Sequence, residues 1–368
     1  MTDAHCPIIH AGLVIDLKWG KGAYVTNCCL RPDRVIAQGD IWQSVKLVRD
    51  RTNNLAGQWD TSCWPCQGNE QAGLTSFRTG SIMGYGVETD LPGPKRLDLM
   101  FDISCNLACR TCGPHSSSLW QKHLKSNNIA FKSINDTAKT DEMIAILKTL
   151  DLSRLETVVF CGGETLLGQG YWAVAELLLD LVPNAKQQLT VCFQTNGTQT
   201  ISSRNLETVS KFKAVKLNVS LDGIGERFEY LRWPASWNQV TNNLAQLLDS
   251  CPDNVEFLIE ETVSIFNLYY THELKKWAAG NFSITKAQYP IHVSSHPANK
   301  IFSVAHVTQE YVNALTDEFK LLLPRDWTEN PAKIQEMIAT IDQFDQIRQQ
   351  DWRQTFPEVA NFYRRYIK

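Results

Sequence analysis

Cys105, Cys109 and Cys112, in the string CNLACRTC, bring three thiols together at C-x3-C-x2-C spacing. Three thiolates are one short of the four that a closed zinc site or a standard [4Fe-4S] ligand set uses, so a metal group held here keeps one open coordination position. Fifty residues on, Gly162-Gly163-Glu164 follows an apolar run. Its glycines let a ligand approach the backbone closely, and its carboxylate can pair with a cation. Five further cysteines (Cys6, Cys28, Cys29, Cys63 and Cys66) precede the triplet, the last two as a C-x2-C pair in SCWPCQGNEQAG.

Elements of the right kind flank these residues. Arg96 to Ile103 (RLDLMFDI) alternates apolar and polar residues and reads as a strand feeding the cysteine loop. After it, Gly113 and Pro114 break the chain, and Ser116 to Ser118 offer N-cap hydroxyls to a following helix. The triplet, the spacing to Gly162-Gly163-Glu164 and the strand-to-helix setting together resemble the radical S-adenosylmethionine (radical SAM) superfamily. The resemblance implies that Cys105, Cys109 and Cys112 hold a [4Fe-4S] cluster whose open iron binds SAM. Gly162, Gly163 and Glu164 would hold the SAM ammonium group. One position departs from the family pattern: Thr111 stands where an aromatic residue usually precedes the third cysteine, and a backbone contact to adenine survives that change.

Strand-like runs continue at Leu155–Cys161, Leu189–Thr195, Val215–Leu221, Val255–Val263 and Pro290–Ser294. Helix-like spacing separates them at Asp141–Leu150, Tyr171–Leu181, Arg204–Phe212, Trp237–Leu248 and Leu268–Ala279. Strands alternating with helices predict an α/β fold with a parallel sheet. Pattern alone does not separate a partial barrel from a doubly wound sheet; the resemblance implies an open, partial (β/α)6 barrel over residues 91–300. Strand ends then deliver Gln194-Thr195-Asn196-Gly197 and Ser220-Leu221-Asp222-Gly223. By resemblance, Asn196 and Ser220 contact the ribose and methionine parts of SAM, and Arg232 pairs with its carboxylate. The backbone around Val263 and Ser264 would flank adenine, while Asp222 is expected to cap the turn after its strand.

Residues 1–90 are expected to form a small cysteine-rich module of their own. Lys18 to Cys28 reads as a hairpin around Gly20 and Gly22. Ile41 to Asn53 reads as an amphipathic helix with Trp42, Val45, Leu47 and Val48 on its apolar face. The arrangement resembles the auxiliary-cluster modules called twitch or SPASM domains, which more commonly follow the barrel. That resemblance implies a second, closed [4Fe-4S] cluster on Cys6, Cys28, Cys63 and Cys66. Cys29 competes with Cys28, since neighbours on an extended strand face opposite ways. A structural zinc ion on the same four thiols is the alternative. Residues 301–368 read as a helical extension that packs on the barrel through Tyr311, Phe319, Trp327, Phe344, Trp352, Phe356, Phe362 and Tyr363.

The 368 residues carry 43% hydrophobic and 20% charged residues and a net charge of −3. That balance is ordinary for a globular chain and lacks the basic stripe of a nucleic-acid binder. No run approaches 18 apolar residues and no secretory leader stands at the N-terminus, so a cytoplasmic protein without a membrane partner is expected. Eleven cysteines, an odd and clustered set, point to metal ligation over disulfides. The resemblance implies an enzyme that cleaves SAM reductively to a 5′-deoxyadenosyl radical, which takes hydrogen from a substrate. Electrons would come from a donor such as flavodoxin or ferredoxin. Twitch and SPASM relatives act mostly on ribosomally made peptides, which makes oxidative modification or cross-linking of a peptide the first expectation. A small carbohydrate or nucleotide substrate, or a non-catalytic metal-binding scaffold, are the alternatives.

Overall fold

The computed structural model describes residues 4–71, 75–86, 88–134, 138–281, 292–294, 299–324 and 327–367. It divides into two compact units. One comprises Met1–Ser104, Ile134–Gln194 and Ser202–Lys216; the other comprises Cys105–Ser133, Thr195–Ile201 and Leu217–Lys368.

Nine strands lie among the described residues: β1 (Gly12–Asp16), β2 (Tyr24–Thr26), β3 (Val35–Ile36), β4 (Arg96–Met100), β5 (Thr157–Cys161), β6 (Thr190–Thr195), β7 (Ala214–Ser220), β8 (Val255–Thr262) and β9 (His292–Ser294). In the first unit they pair in the order β3-β2-β1-β4-β5-β6; in the second, β7-β8-β9 are neighbours in that order. β4 pairs in parallel with β5 from Arg96↔Thr157 to Met100↔Cys161, and β5 with β6 from Thr157↔Thr190. β8 and β9 are also parallel, with Glu260 opposite His292. Parallel neighbours need a crossover each, and helices such as Gln169–Leu181 and Trp237–Ser250 supply them. The expected α/β class, its parallel strands and the helical C-terminal region are therefore present. All six expected strands appear within a few residues of their predicted bounds; Pro290 and Ile291, at the start of the last, lie outside the described residues.

The N-terminal hairpin differs from expectation. Its paired strands are β1 and β2, with Val14 opposite Thr26 and Asp16 opposite Tyr24, so the hairpin begins at Gly12 and not at Lys18. Lys18 to Ala23 is mostly turn, where Gly20 and Gly22 take positive φ. β1 is buried along its whole length, and it also pairs in parallel with β4, Gly12 opposite Arg96. A strand covered on both faces shows no alternation, which is why GLVID gives no period-2 signal. Gly12 meets the neighbouring chain closely: a Cβ there would fall 2.4 Å from the Asn27 carbonyl oxygen and 2.8 Å from that of Ile8.

The helix Val45–Leu55 also turns a different face inward. Val45 is 85% exposed and Val48 is exposed, while Leu47, Lys46, Asp50 and Asn54 are buried. A charge network decides this. Lys46 Nζ lies 2.6 Å from both Asp33 and Asp50, and Arg31 reaches Asp33, Asp50 and Asp60 at 2.7, 3.1 and 3.0 Å. Asn54 then ties down the chain that carries Cys6: it accepts from the Cys6 N–H at 3.0 Å and donates to the Ala4 carbonyl at 2.6 Å. Burying paired and hydrogen-bonded polar groups outcompeted two valines.

In the second unit most of the C-terminal aromatics pack together, while Phe344 joins Ala108, Trp120 and Leu124. Tyr311, Phe319, Trp352, Phe356 and Tyr363 share one buried cluster with Tyr230, Leu231, Val263, Ile265 and Phe266. The tight approach at Gly12 yields a first prediction. Gly12→Ala should destabilise the chain by about 1–3 kcal/mol, the usual cost of overpacking, as read by urea unfolding; an unchanged midpoint would contradict the β1 packing described.

Candidate functional site

The cysteine loop opens directly after Ser104. Ser117 caps the helix Ser118–Ser126, accepting the Trp120 N–H at 3.1 Å and donating to the Leu107 carbonyl at 2.5 Å. Ser118 Oγ accepts the Cys105 N–H at 3.0 Å. The helix start thus grips the loop it follows. Two further backbone bonds hold the loop's centre, Ala108 N–H to Trp233 O at 2.8 Å and Arg110 N–H to Leu231 O at 2.7 Å.

Donors approach the thiols. The Leu107 N–H lies 3.5 Å from Cys105 Sγ and Asn196 Nδ2 3.9 Å from it, while Arg232 Nη1 lies 4.0 Å from Cys109 Sγ. Burial, with Cys112 and Asp222 adding to it, pushes the Cys109 thiol up to about 12, although Arg232 and Arg348 oppose the shift. Among the described residues, no three or more His, Cys, Asp or Glu side chains are disposed as a metal-holding group. The fit to a cluster is one of donor chemistry: three thiols on one short loop, two of them approached by N–H groups of the kind that tune thiolates and sulfides.

Arg232 and Asp222 form the buried pair beneath this loop. Arg232 Nη2 donates to Asp222 Oδ1 at 2.9 Å, and Nε stands 2.8 Å from Oδ2 as an ion contact without hydrogen-bond alignment. Asp222 also accepts the Thr262 N–H at 2.9 Å and lies 3.5 Å from Thr111 Oγ1. Asp222 therefore does not cap the turn that follows its strand, contrary to the expectation from sequence. Its carboxylate joins the ends of β7 and β8 instead. Burial works against the Arg232 charge and Asp222 overrides it, so the guanidinium pKa is raised. Behind the pair, Asn267 Nδ2 lies 3.1 Å from each of Glu261 Oε1, the Asp222 carbonyl and the Thr262 carbonyl. Burial, then the Asp222 charge, push the Glu261 carboxyl up to about 8.

The other expected contacts fall as follows. Asn196 spends its amide locally: Oδ1 accepts from Thr198 N at 2.9 Å and Thr198 Oγ1 at 2.6 Å, and Nδ2 donates to Asn106 Oδ1 at 3.0 Å. It is thus brought to the cysteine loop, through Asn106 and Cys105. Ser220 is half-buried at the end of β7. Val263 and Ser264 are fully buried, and Ser264 is engaged by Asn267 Oδ1.

Gly162, Gly163 and Glu164 lie in the first unit. They run against the chain just before the cysteine loop. Gly163 N–H donates to Asp102 O at 3.1 Å and Glu164 N–H to Ser104 O at 2.8 Å. A Cβ on Gly162, whose φ is +136°, would lie 2.3 Å from Asp102 O, and one on Gly163 2.2 Å from Ser104 O. The glycines are required by this backbone approach, a reason the sequence alone did not disclose. Glu164 is buried, with Oε1 accepting the Leu166 N–H at 3.0 Å.

Also in the first unit, Cys6, Cys28, Cys63 and Cys66 line one cavity together with Arg31, Trp59, Pro65 and Arg78. Burial raises the Cys6 thiol to about 11 and raises that of Cys63; the Cys28 thiol is raised by its hydrogen bond with Cys29 and by burial. Cys29 is not among the residues lining the cavity.

Sequence reasoning passed over Asn106, Arg110, His123, Trp233 and Arg348, which surround the cysteine loop. Arg110 pairs with Asp345 and reaches Gln350 Oε1 at 2.9 Å, its guanidinium 4.4 Å from the Tyr230 ring. Arg110 sits inside CNLACRTC, so the motif itself held a signal; the others carry no pattern that marks them.

Residues 103–259 match the family model described as the radical SAM superfamily. No curated protein matches it. Among solved structures, Streptococcus suis SuiB bound to precursor peptide SuiA is 11% identical over 94% of this chain and 74% of that chain, at a TM-score of 0.39. SuiB bound to S-adenosylmethionine is 10% identical over 92% and 69%, at 0.34. A polyhistidine-tagged anSMEcpe with bound AdoMet is 18% identical over 68% and 59%, at 0.37. At these scores the structural likenesses add nothing to the family match.

Three stability predictions concern charged groups, two buried and one exposed. Asp222→Asn strands a buried guanidinium and should cost about 3–5 kcal/mol in urea unfolding. Loss of the exposed Lys211–Glu207 pair by Lys211→Gln should cost under about 1 kcal/mol. For Glu261, the folded pKa of about 8 lies above the ordinary 4.5, so the folded state holds the proton that the unfolded state gives up between them. Stability contributed by neutral Glu261 is complete below about pH 4.5 and declines as pH rises toward 8. Glu261→Gln should therefore gain stability relative to wild type at pH 8 and not at pH 4.5; parallel pH profiles would refute this.

Proposed function

We propose that this chain is a radical SAM oxidoreductase whose Cys105, Cys109 and Cys112 hold a SAM-binding [4Fe-4S] cluster, and that it modifies a ribosomally made peptide. The observation that carries the proposal is the three-thiol loop, one ligand short, in the segment that the family model matches. When bound, cluster and SAM supply reductive cleavage to a 5′-deoxyadenosyl radical able to take a hydrogen atom from substrate.

The chain's own part is to bind, orient and exclude water. Glu164 is assigned to the SAM ammonium beside the backbone of Gly162 and Gly163, and Asn196 and Ser220 to its ribose and methionine parts. Arg232 is assigned to the SAM carboxylate, with Asp222 fixing its fork. Buried Val263 and Ser264 offer backbone to adenine. In the first unit, Cys6, Cys28, Cys63 and Cys66 are assigned to a second [4Fe-4S] cluster of a twitch- or SPASM-like module. Their shared cavity supports this, as do four thiols that completely fill a ligand set. A second cluster favours an oxidative outcome, such as a cross-link or a dehydrogenation, because it offers a route for an electron leaving substrate. An electron donor of the flavodoxin or ferredoxin type completes the scheme.

Anaerobic reconstitution tests both assignments. The chain should take up about eight irons, four per site. With dithionite and SAM it should release 5′-deoxyadenosine. Replacing Cys105, Cys109 and Cys112 by Ala should remove half the iron and all cleavage, whereas Cys63→Ala with Cys66→Ala should remove the other half and leave SAM cleavage detectable. Zinc in that second half would replace the auxiliary cluster by a structural ion, and no 5′-deoxyadenosine from the iron-loaded wild type would reject the enzyme reading.

A further inference from the structure

Arg348 ends the 18-residue helix Pro331–Arg348 and is 7% exposed, yet it has no carboxylate partner among the described residues. Its guanidinium lies between Trp120 and Trp233, 4.7 and 4.8 Å from their rings, with Phe344 at 5.5 Å. Nε lies 3.4 Å from His123 Nε2, and Nη1 and Nη2 are buried without a hydrogen-bond partner among the described residues. The nearby carboxylate, Asp345, is already taken by Arg110, the Tyr230 hydroxyl and the Trp352 N–H. Aromatic faces attract a cation but do not replace a counter-ion, and an unpaired buried charge is expensive. Arg110 thus takes the Asp345 carboxylate, and among the described residues no other one pairs with Arg348.

The walls of this aromatic box are the supports of the cysteine loop. Trp120 Nε1–H donates to Cys109 O at 2.8 Å, and Trp233 O accepts the Ala108 N–H at 2.8 Å. Ala108, Trp120 and Phe344 form one apolar cluster, with Cys112 and Trp233 packed on it. The guanidinium is thus clamped between the two residues whose hydrogen bonds flank Cys109.

We propose that Arg348 is a positioning residue whose fixed positive charge, held by Trp120 and Trp233, compensates the negative charge of the iron–sulfur cluster on Cys105, Cys109 and Cys112 and raises its reduction potential. The inference rests on the cluster assignment made above. Three thiolates outweigh the charge of a cluster core, and reduction adds another negative charge, so a cation that cannot move favours the reduced state.

The test is a redox titration followed by electron paramagnetic resonance on the reconstituted full chain, reading the signal that changes when SAM is added. Arg348→Met should shift that potential negative by at least a tenfold change in the one-electron equilibrium, about 59 mV. Arg348→Lys, which keeps the charge, should recover most of the shift. Metal-free Arg348→Met should melt no lower than metal-free wild type, since it removes a charge that has no partner there. A wild-type potential in Arg348→Met, an equal shift in the Met and Lys variants, or a clearly lower melting temperature of metal-free Arg348→Met would each overturn the role of Arg348. A wild-type chain with no SAM-responsive cluster would instead overturn the cluster assignment, and this inference with it.

Discussion

The Asp222 carboxylate has no exposed surface, and separate pieces of chain converge on it. Arg232 arrives from the C-terminus of the helix Gly225–Leu231, the Thr262 N–H from the end of β8 and Thr111 from the cysteine loop, while Asp222 itself follows β7. An ion pair buried to this degree is a poor source of net stability, because desolvating both charges offsets their attraction. Its value is geometric, since one carboxylate serves donors from all of these segments at once. With the pair in place, Arg232 Nη1 is directed at Cys109 Sγ and the two strand ends are held at one level. Cost and benefit of this kind mark a place where position outranks stability.

How legible the fold was depends on what each segment buries. The strands β4 to β8 announce themselves because apolar runs alternate with helix-spaced segments, and parallel strands buried on both faces need little else. β1 failed the same test because every residue of it is buried and it shows no alternation. GLVID is five residues and pairs with strands on both sides, so nothing in its neighbourhood distinguishes it from a buried turn. The helix Val45–Leu55 misled in the opposite way. Its valines suggested an apolar face, but Arg31, Asp33 and Asp60, which lie outside it in sequence, complete a charge network that only the folded chain reveals.

The candidate site was legible where chemistry is written in consecutive residues, as at CNLACRTC and Gly162-Gly163-Glu164. It was illegible where the same residue serves packing. Gly162 and Gly163 look like a ligand cradle in sequence, yet the atoms a Cβ would strike are the carbonyl oxygens of Asp102 and Ser104. The close approach sets the backbone that leads up to Cys105, so these glycines fix the stretch from which the loop starts. Arg348 left no trace in sequence at all, because its meaning lies in what its neighbours have already spent: Asp345 is committed to Arg110.

The cavity of the first unit poses a different constraint. Its four thiols come from three stretches of chain, and the Asn54 side chain anchors the first of them. Burial raises the Cys6 and Cys63 thiols, and the Cys29 hydrogen bond, then burial, raises Cys28, so the auxiliary site proposed above would release protons on taking up a metal. A metal ion is itself the strongest influence on a thiol pKa, which makes assembly and deprotonation one event. Arg31 and Arg78 also line the cavity, and both already hold carboxylates, Asp33, Asp50 and Asp60 for Arg31 and Glu70 for Arg78, so their charge is partly spent. Arg348 differs: among the described residues it holds no carboxylate, and Trp120, Trp233 and Phe344 enclose it.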